Sequence, residues 1–435
     1  MNTPPRSIVI VGGGFAGTAL ARALDARRLH GVQITLISEE STTTFHPMLP
    51  EAVAASVFPE QVVAPLREML DLRRGDRFIM GRVLAIDAVA RTLRCETLAG
   101  ERCIAYDQLV LAFGNRARLD LLPGMALHAL PLKTVGDALH IRNVVLRRLA
   151  RIELETDADL RRALGHFVVI GGGFSGAEVA GELIDCLASI SRYYPRVRRD
   201  EWAVTVLHDQ DRLLPEMSPR LAAAALRSLQ RRGVAVHLST RAQGIHETGV
   251  ALVGGGELAS HTVISTIGNQ PNPLVKRLAL PQERGRIRVE PDLSVPGFPG
   301  VWALGDCAAV PNAASASTSP ATAQFAVRQA RHLAGNLLAR ERGAGTRPFA
   351  ARPRGSMAAL GRRNGVAEVF GVEFSGLPAW LLWRAFYLSQ MPTLRRKLRI
   401  WVEWTWGMFF PADITHLRFT RSRELPAHEG GVGAP

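Results

Sequence analysis

Two stretches of the chain share one pattern of apolar and polar positions. The first is Ile8-Val-Ile-Val-Gly-Gly-Gly-Phe-Ala-Gly17 and the second is Phe167-Val-Val-Ile-Gly-Gly-Gly-Phe-Ser-Gly176. Each is a short β-branched run, then glycines, then an Ala/Leu-rich stretch of helical character. An unbroken apolar run of this length bounded by glycine predicts a strand buried on both faces, with a helix to follow. The repetition continues downstream. Tyr106-Asp-Gln-Leu-Val-Leu-Ala-Phe-Gly114 resembles Ser260-His-Thr-Val-Ile-Ser-Thr-Ile-Gly268, each a strand ending in a glycine turn. Two duplicated units of nearly equal length are therefore expected. A later strand, Gly300-Val-Trp-Ala-Leu-Gly-Asp-Cys307, ends in Gly305-Asp306. Towards the C-terminus the pattern changes. Pro378 to Leu388 is apolar nearly all round, and after Pro392 a stripe of Leu394, Leu398, Trp401, Thr405 and Met408 recurs at helical spacing. The expected fold class is α/β, with two Rossmann-like doubly wound domains and a C-terminal amphipathic helical region.

The glycine spacing G-x-G-x-x-G carries specific chemistry. The first glycine permits a tight turn, the second lets backbone approach a pyrophosphate, and the third lets helix and strand pack closely. The helix N-terminus then offers unpaired N–H groups and the positive end of its dipole to phosphate. One such loop is weak evidence, but two copies in strand–turn–helix context predict two dinucleotide sites.

Composition narrows the partners. The chain has 435 residues and a formal charge of +14, but its only lysines are Lys133, Lys276 and Lys397. An Arg-rich, Lys-poor, Ala-rich chain reads as composition bias, so no nucleic-acid partner is expected and only local clusters are read functionally. Cys95, Cys103, Cys186 and Cys307 are scattered without metal-ligand or redox spacing, so neither a disulfide framework nor a metal site is expected. A strand-like run begins almost at once, which argues against a signal peptide. No stretch approaches the ~20 apolar residues of a spanning helix. The expected compartment is the cytoplasm.

The two glycine loops and the Gly-Asp element, in that order, resemble the two-dinucleotide flavoprotein reductases. Among these the best resemblance is to the type II, non-proton-pumping NADH:quinone oxidoreductases. It rests on Phe45-His-Pro-Met-Leu-Pro-Glu51, Gly176-Ala-Glu-Val-Ala-Gly-Glu-Leu183, Pro320-Ala-Thr-Ala-Gln-Phe-Ala-Val-Arg-Gln329 and Phe409-Phe-Pro-Ala-Asp-Ile-Thr-His-Leu417. The resemblance implies an FAD domain in two parts, 1–120 and 290–345, with an NAD(P)H domain at 160–285 inserted between them. A C-terminal domain with membrane-associating helices at 346–420 and a flexible tail at 421–435 complete the chain. It implies FAD contacts at Gly12, Gly14, Phe15, Ala16, Gly17, Glu39, Pro47, Val83, Ala112, Gly114, Gly305 and Asp306. It implies nicotinamide-cofactor contacts at Gly171, Gly173, Phe174, Ser175, Gly176, Glu178, His208, Asp209 and Gly268. Glu182 and Gln324 are the expected catalytic residues, Glu182 at the junction of the nicotinamide and quinone sites. Gln324 and Arg328 are the expected quinone contacts.

Absences and departures refine this reading. The stretch Thr44–Pro50 has no cysteine, which removes disulfide-reductase chemistry. Sulfide:quinone chemistry would have to use Cys186 or Cys307. Arg328 and Ala330 replace the usual Gln and Gly of the quinone segment. Glu39 falls one place after the usual ribose-binding position. His208 fits neither the acid of an NADH site nor the Arg of an NADPH site. NADH is favoured because Asp209 is adjacent, with Arg212 leaving NADPH open. Five of the seven tryptophans lie between 380 and 406, and Arg395, Arg396, Lys397 and Arg399 lie largely off the apolar stripe. That combination suits docking on an anionic membrane, peripherally on the inner face of the cell membrane, where the quinone resides. The competing reading of these helices is a homodimer interface or a packed core. Two other functions stay open: a soluble NAD(P)H reductase serving a ferredoxin-like partner, and a turnover-deficient flavin-binding redox sensor.

Overall fold

The computed structural model describes residues 6–417 apart from 28–30, 71, 73, 74, 316 and 392; the expected tail at 421–435 and Pro392 lie outside the described residues. A seven-stranded sheet is ordered Val301–Ala303, Gln108–Leu111, Arg6–Val11, Val32–Ser38, Arg77–Asp87, Thr92–Thr97 and Gly100–Ala105. The first five strands run parallel, and the last two continue from Arg77–Asp87 as an antiparallel meander. The strand Val301–Ala303 therefore returns to the first unit from far along the chain. A second, five-stranded parallel sheet is ordered Ala129–Pro131, Thr262–Ser265, His166–Ile170, Ala203–Leu207 and Val234–His237. Its first strand precedes residue 160, so the second unit begins well before the boundary drawn from the sequence.

The central parallel strands are mostly buried along their length, as expected where a parallel sheet is covered by other elements. Helix α1 (Phe15–Asp25) follows the first glycine loop, and a short helix α2 (Leu49–Val53) follows the Phe45–Met48 turn. Helix α3 (Phe174–Ile190) follows the second loop, and α4 (Ala323–Glu341) packs on α1. A three-stranded antiparallel sheet (Gly355–Ala359, Gly365–Val369, Val372–Ser375) then leads to α5 (Leu377–Gln390) and α6 (Leu394–Trp406). The side chain of Thr393 caps α6 by accepting the Arg396 N–H.

The C-terminal region has no core of its own. Trp380, Trp383, Ile400 and Trp404 join one apolar cluster with Met48, Leu49, Val53, Leu183 and Leu187. The five C-terminal tryptophans thus divide: Trp380, Trp383 and Trp404 are buried, whereas Trp401 and Trp406 are exposed. The basic cluster divides too. Arg396 turns inward, bonds the backbone carbonyls of Glu60 and Val63, and faces Glu68, so it is not part of an outward cationic rim.

Candidate active site

Each glycine loop has the geometry its spacing demands. Gly12 has φ +120, and a side chain there would meet the Ala112 carbonyl oxygen at 2.3 Å. Gly14 faces open space, whereas a Cβ on Gly17 would lie 1.9 Å from the Gly12 oxygen. In the second loop Gly171 has φ +112, Gly173 faces open space, and a Cβ on Gly176 would lie 1.8 Å from the Gly171 oxygen. Neither Gly14 nor Gly173, the N-caps of α1 and α3, carries a side-chain cap bond. The middle glycines therefore open towards a cradle lined by N–H groups, which fits a pyrophosphate at both loops. Phe15 and Ala16 lie on the first turn of α1, and Phe174 and Ser175 on that of α3.

Around the first loop, Glu39 follows the strand Val32–Ser38 and pairs with Arg116 at 2.9 Å, both side chains about half exposed. Ala112 supplies the carbonyl against Gly12, Gly114 turns with φ +64, and Val83 is buried in the sheet beside Cys95. Gly305 adopts φ +73 and donates its N–H to the Gln329 side chain at 2.8 Å. Asp306 Oδ2 accepts from Asn115 Nδ2 at 2.9 Å, while Lys133 Nζ donates to the side-chain oxygens of Asn115 at 2.5 Å and Asn269 at 3.2 Å. Burial raises the Asp306 carboxyl from its ordinary value and Lys133 opposes this. Asn115, Lys133 and Gln329 were not anticipated. Only the isolation of Lys133 in a nearly lysine-free chain signalled it.

At the second loop His208 is buried behind the glycines. Its Nδ1 accepts the Gly172 N–H at 3.2 Å, and a side chain on Gly172 would strike the imidazole at 2.7 Å. His208 is thus a wall of the loop rather than a free group in the ribose position. Asp209 next to it is 61% exposed, and Arg212 is engaged with the Pro215 carbonyl at 3.0 Å. Gly268 turns with φ +81 against Leu121.

A cavity of about 1140 Å³ connects these parts; it is lined among others by Phe15, Phe174, Pro47, Gln324, Arg328 and Tyr387. The rings of Phe15, Phe45 and Tyr387 follow edge to face at 5.6 and 5.5 Å. Gln324 accepts the Arg354 N–H at 3.0 Å, and Arg328 bonds the Arg352 carbonyl, so both are oriented by the strand entering the C-terminal sheet. His46, also unanticipated, packs on Phe15, and burial pushes its imidazole down to about 4.

Glu182 is not an exposed helix glutamate. It is buried behind the cavity wall, where its Oε2 accepts from Ser56 Oγ at 2.8 Å. Glu178, one turn earlier, does not face an open cofactor cradle; its Oε1 accepts the Ala359 N–H at 3.0 Å. Burial raises both carboxyls. Glu51, quoted above only as the end of a motif, is buried beside them. Trp404 Nε1 donates to its Oε2 at 3.2 Å, and Arg384, stacked over Trp380 and Trp404, lies 3.8 Å from its Oε1. Cys186 and Cys307 are buried, unpaired thiols pushed up to about 12, which is the wrong state for thiolate chemistry. Among the described residues no His/Cys/Asp/Glu group could hold a metal ion.

The outer faces of α5 and α6 are apolar and exposed. Leu381, Leu382 and Phe386 continue into Leu394, Leu398, Trp401, Val402 and Trp406, then Phe409 and Phe410. Leu382, Phe386 and Lys397 also line the cavity, so this face borders its mouth. Among the described residues no helix is long and apolar enough to cross a membrane.

Residues 6–330 match the pyridine nucleotide-disulphide oxidoreductase family and 354–412 the NDH2 C-terminal domain. The chain is 32% identical to the type II NADH:quinone oxidoreductase NdhA of Mycobacterium tuberculosis, over 93% of this chain and 87% of that protein. It is 31% identical to the demethylphylloquinone reductase NdbB of Synechocystis sp., over 91% of this chain and 95% of that protein. The fold matches NDH2 from Plasmodium falciparum in complex with NADH at TM-score 0.87, with 17% identity, over 94% of this chain and 99% of that one.

Proposed function

This chain belongs to the type II NADH:quinone oxidoreductases, and from that premise we propose that it oxidises NADH, reduces a membrane quinone and pumps no protons. Bound FAD supplies the two-electron carrier between the two substrates. The observation that carries this reading is the single cavity whose lining includes Phe15 and Phe174, the first residues of the two loop helices, and α5 side chains bordering an exposed apolar face.

The chain's residues divide the work. Gly12, Gly14, Phe15, Ala16 and Gly17 cradle the FAD pyrophosphate at the α1 N-terminus, and Glu39 accepts from the ribose. Pro47, Val83, Ala112, Gly114, Gly305 and Asp306 shape the flavin side. Gly171, Gly173, Phe174, Ser175, Gly176 and Gly268 serve the nicotinamide cofactor, with His208 fixing the glycine loop from behind. Asp209 meets the ribose hydroxyls, and Glu178 and Glu182 support the nicotinamide from α3. Gln324 and Arg328 contact the quinone. The exposed apolar faces of α5 and α6 dock on the anionic inner face of the cell membrane. The apolar area exposed there disfavours a soluble ferredoxin reductase, because contiguous patches of this kind mark interaction sites.

Steady-state oxidation of NADH and NADPH, with and without a short-chain quinone, tests the reading. The purified protein is expected to be yellow and to turn over NADH with quinone. Its kcat/KM should be higher for NADH than for NADPH, because an exposed carboxylate repels the 2′-phosphate and Arg212 is engaged elsewhere. A folded preparation without flavin absorbance ends the proposal. A flavin-loaded protein without quinone turnover leaves the redox-sensor reading.

A further inference from the structure

Behind the cavity wall lies a charge cluster whose protons the two-substrate scheme leaves unassigned. Glu51 of α2 and Glu178 and Glu182 of α3 are all buried. The cation among them is Arg384 of α5, whose charge acts on both Glu51 and Glu182. Asp185 nearby is already matched by Arg232 at 2.8 Å. Three ionised carboxylates against one guanidinium would leave uncompensated negative charge among Leu183, Trp383 and Trp404, which is costly in an apolar interior. The cluster therefore holds protons. Glu51 is the member whose geometry shows it most directly. Its Oε2 takes the Trp404 indole N–H, but its Oε1 is buried without any hydrogen-bond partner, and Arg384 stands off at 3.8 Å. A buried acceptor left so is tolerated far better on a carboxylic acid than on a carboxylate. The groups facing Glu51 agree: burial pushes it up to about 8, with Glu182 and Glu403 reinforcing the rise and Arg384 and the Trp404 bond opposing it. The cluster adjoins the cavity, since Tyr387 lines the cavity and lies within the electrostatic reach of Glu178.

The reaction leaves a proton to be found. Reducing a quinone to a quinol takes two electrons and two protons. A hydride equivalent from NADH brings two electrons and one proton, so one further proton must reach the quinone inside the cavity. We propose that Glu51 is the store for that second proton. Its carboxyl O–H bond breaks, the proton passes through the carboxyl cluster towards the quinone oxygen, and the carboxylate left behind is held by Arg384 and the Trp404 indole until a proton drawn from solvent by way of the cavity returns along the same cluster. This rests on the quinone-reductase reading, and it assigns to α6, through Trp404, a part in fixing the store.

Glu51→Gln tests it, because glutamine keeps the shape and an acceptor for Trp404 but cannot ionise. The two half-reactions are followed by stopped flow with a soluble quinone. Flavin reduction by NADH is expected to match the wild type, while reoxidation by quinone slows about tenfold or more. In the wild type the quinone rate should fall as pH rises through about 8, where Glu51 loses its proton, and in the variant that limb should be absent. Reoxidation by ferricyanide, which takes electrons without a proton, should not change. A wild type that never reduces quinone sinks the parent reading. A wild type that does, with a variant of the same quinone rate and pH profile, sinks only the proton store. Should the variant not fold, the infrared difference spectrum between oxidised and reduced wild type decides, and the absence of any carboxylic-acid carbonyl band in it would overturn the proposal.

Discussion

Gly176→Ala is expected to give a folded, yellow protein in which NADH no longer reduces the flavin at a useful rate. The added Cβ would sit 1.8 Å from the Gly171 carbonyl oxygen and 2.8 Å from Thr266 Oγ1. The first of these atoms is backbone in a loop already at φ +112, and it cannot step aside as a side-chain tip would. The N-terminus of α3 must withdraw instead, by roughly 1 Å or more, and a displacement of that size at a substrate-positioning element costs about 10²-fold in rate. The first loop lies on a different sheet and is untouched, so the flavin absorbance should remain. The mirror substitution, Gly17→Ala, places its Cβ 1.9 Å from the Gly12 oxygen and should remove the flavin instead. Flavin content and kcat/KM for NADH, measured on both variants, check the pair. Wild-type kcat/KM in Gly176→Ala would show that the second loop does not hold the nicotinamide cofactor.

Replacing Leu394, Leu398, Trp401 and Trp406 together with Gln should abolish binding to anionic vesicles while leaving turnover of a soluble quinone intact. These four side chains are 72%, 56%, 57% and 62% exposed, so the change removes little internal packing. Each large apolar side chain transferred from water is worth roughly 1.5–3 kcal/mol when fully buried. Even half of that from each gives a loss of at least ~10²-fold in partitioning, at about 1.4 kcal/mol per tenfold. Net charge is unchanged, so a loss isolates the apolar part. The residual attraction of Arg395, Lys397 and Arg399 should then vanish with salt. Vesicle sedimentation at low and high salt measures both. Loss of a dimer with unchanged vesicle binding would instead make this face a subunit interface. Removing everything after Gly376 is not an equivalent experiment, because it strips Trp380, Trp383 and Trp404 out of the core beneath α3.

The glycine loops were legible because each glycine answers a local steric demand, visible within ten residues of sequence. The Gly-Asp element and the return of Val301–Ala303 to the first sheet were legible through the order of motifs. The fate of the C-terminal tryptophans was not. Helical spacing separates two faces of α6 but does not say which meets the core, and α5 offers no polar face to decide by. The stripe Leu394, Leu398, Trp401 proved to be the outer face, while Ile400 and Trp404 turn inward. The setting of His208 is hidden for a related reason: its position after Leu207 is the ribose position by count, but its ring packs under Gly172, a contact across 36 residues. Asn115 and Asn269 meet at Lys133, and Asn115 bonds Asp306, from separate connections of the chain, and no local pattern announces such a meeting. Glu51 stood in plain view at the end of a recognised motif. Only the packing of α6 against α2 shows that its carboxyl is sealed from water.

The cavity mouth, bordered by Leu382, Phe386 and Lys397 within the exposed apolar face, has a kinetic consequence. A substrate that enters from the plane of the bilayer is never counted in moles per litre of water. For a docked enzyme of this shape, half-saturation is reached at a mole fraction of quinone among lipids. Diluting vesicles with buffer should leave the rate per bound enzyme unchanged, while diluting the quinone with inert lipid at constant total quinone should lower it. The two dimensions of the membrane, rather than the three of the solution, would then set how often the reduced enzyme meets its acceptor.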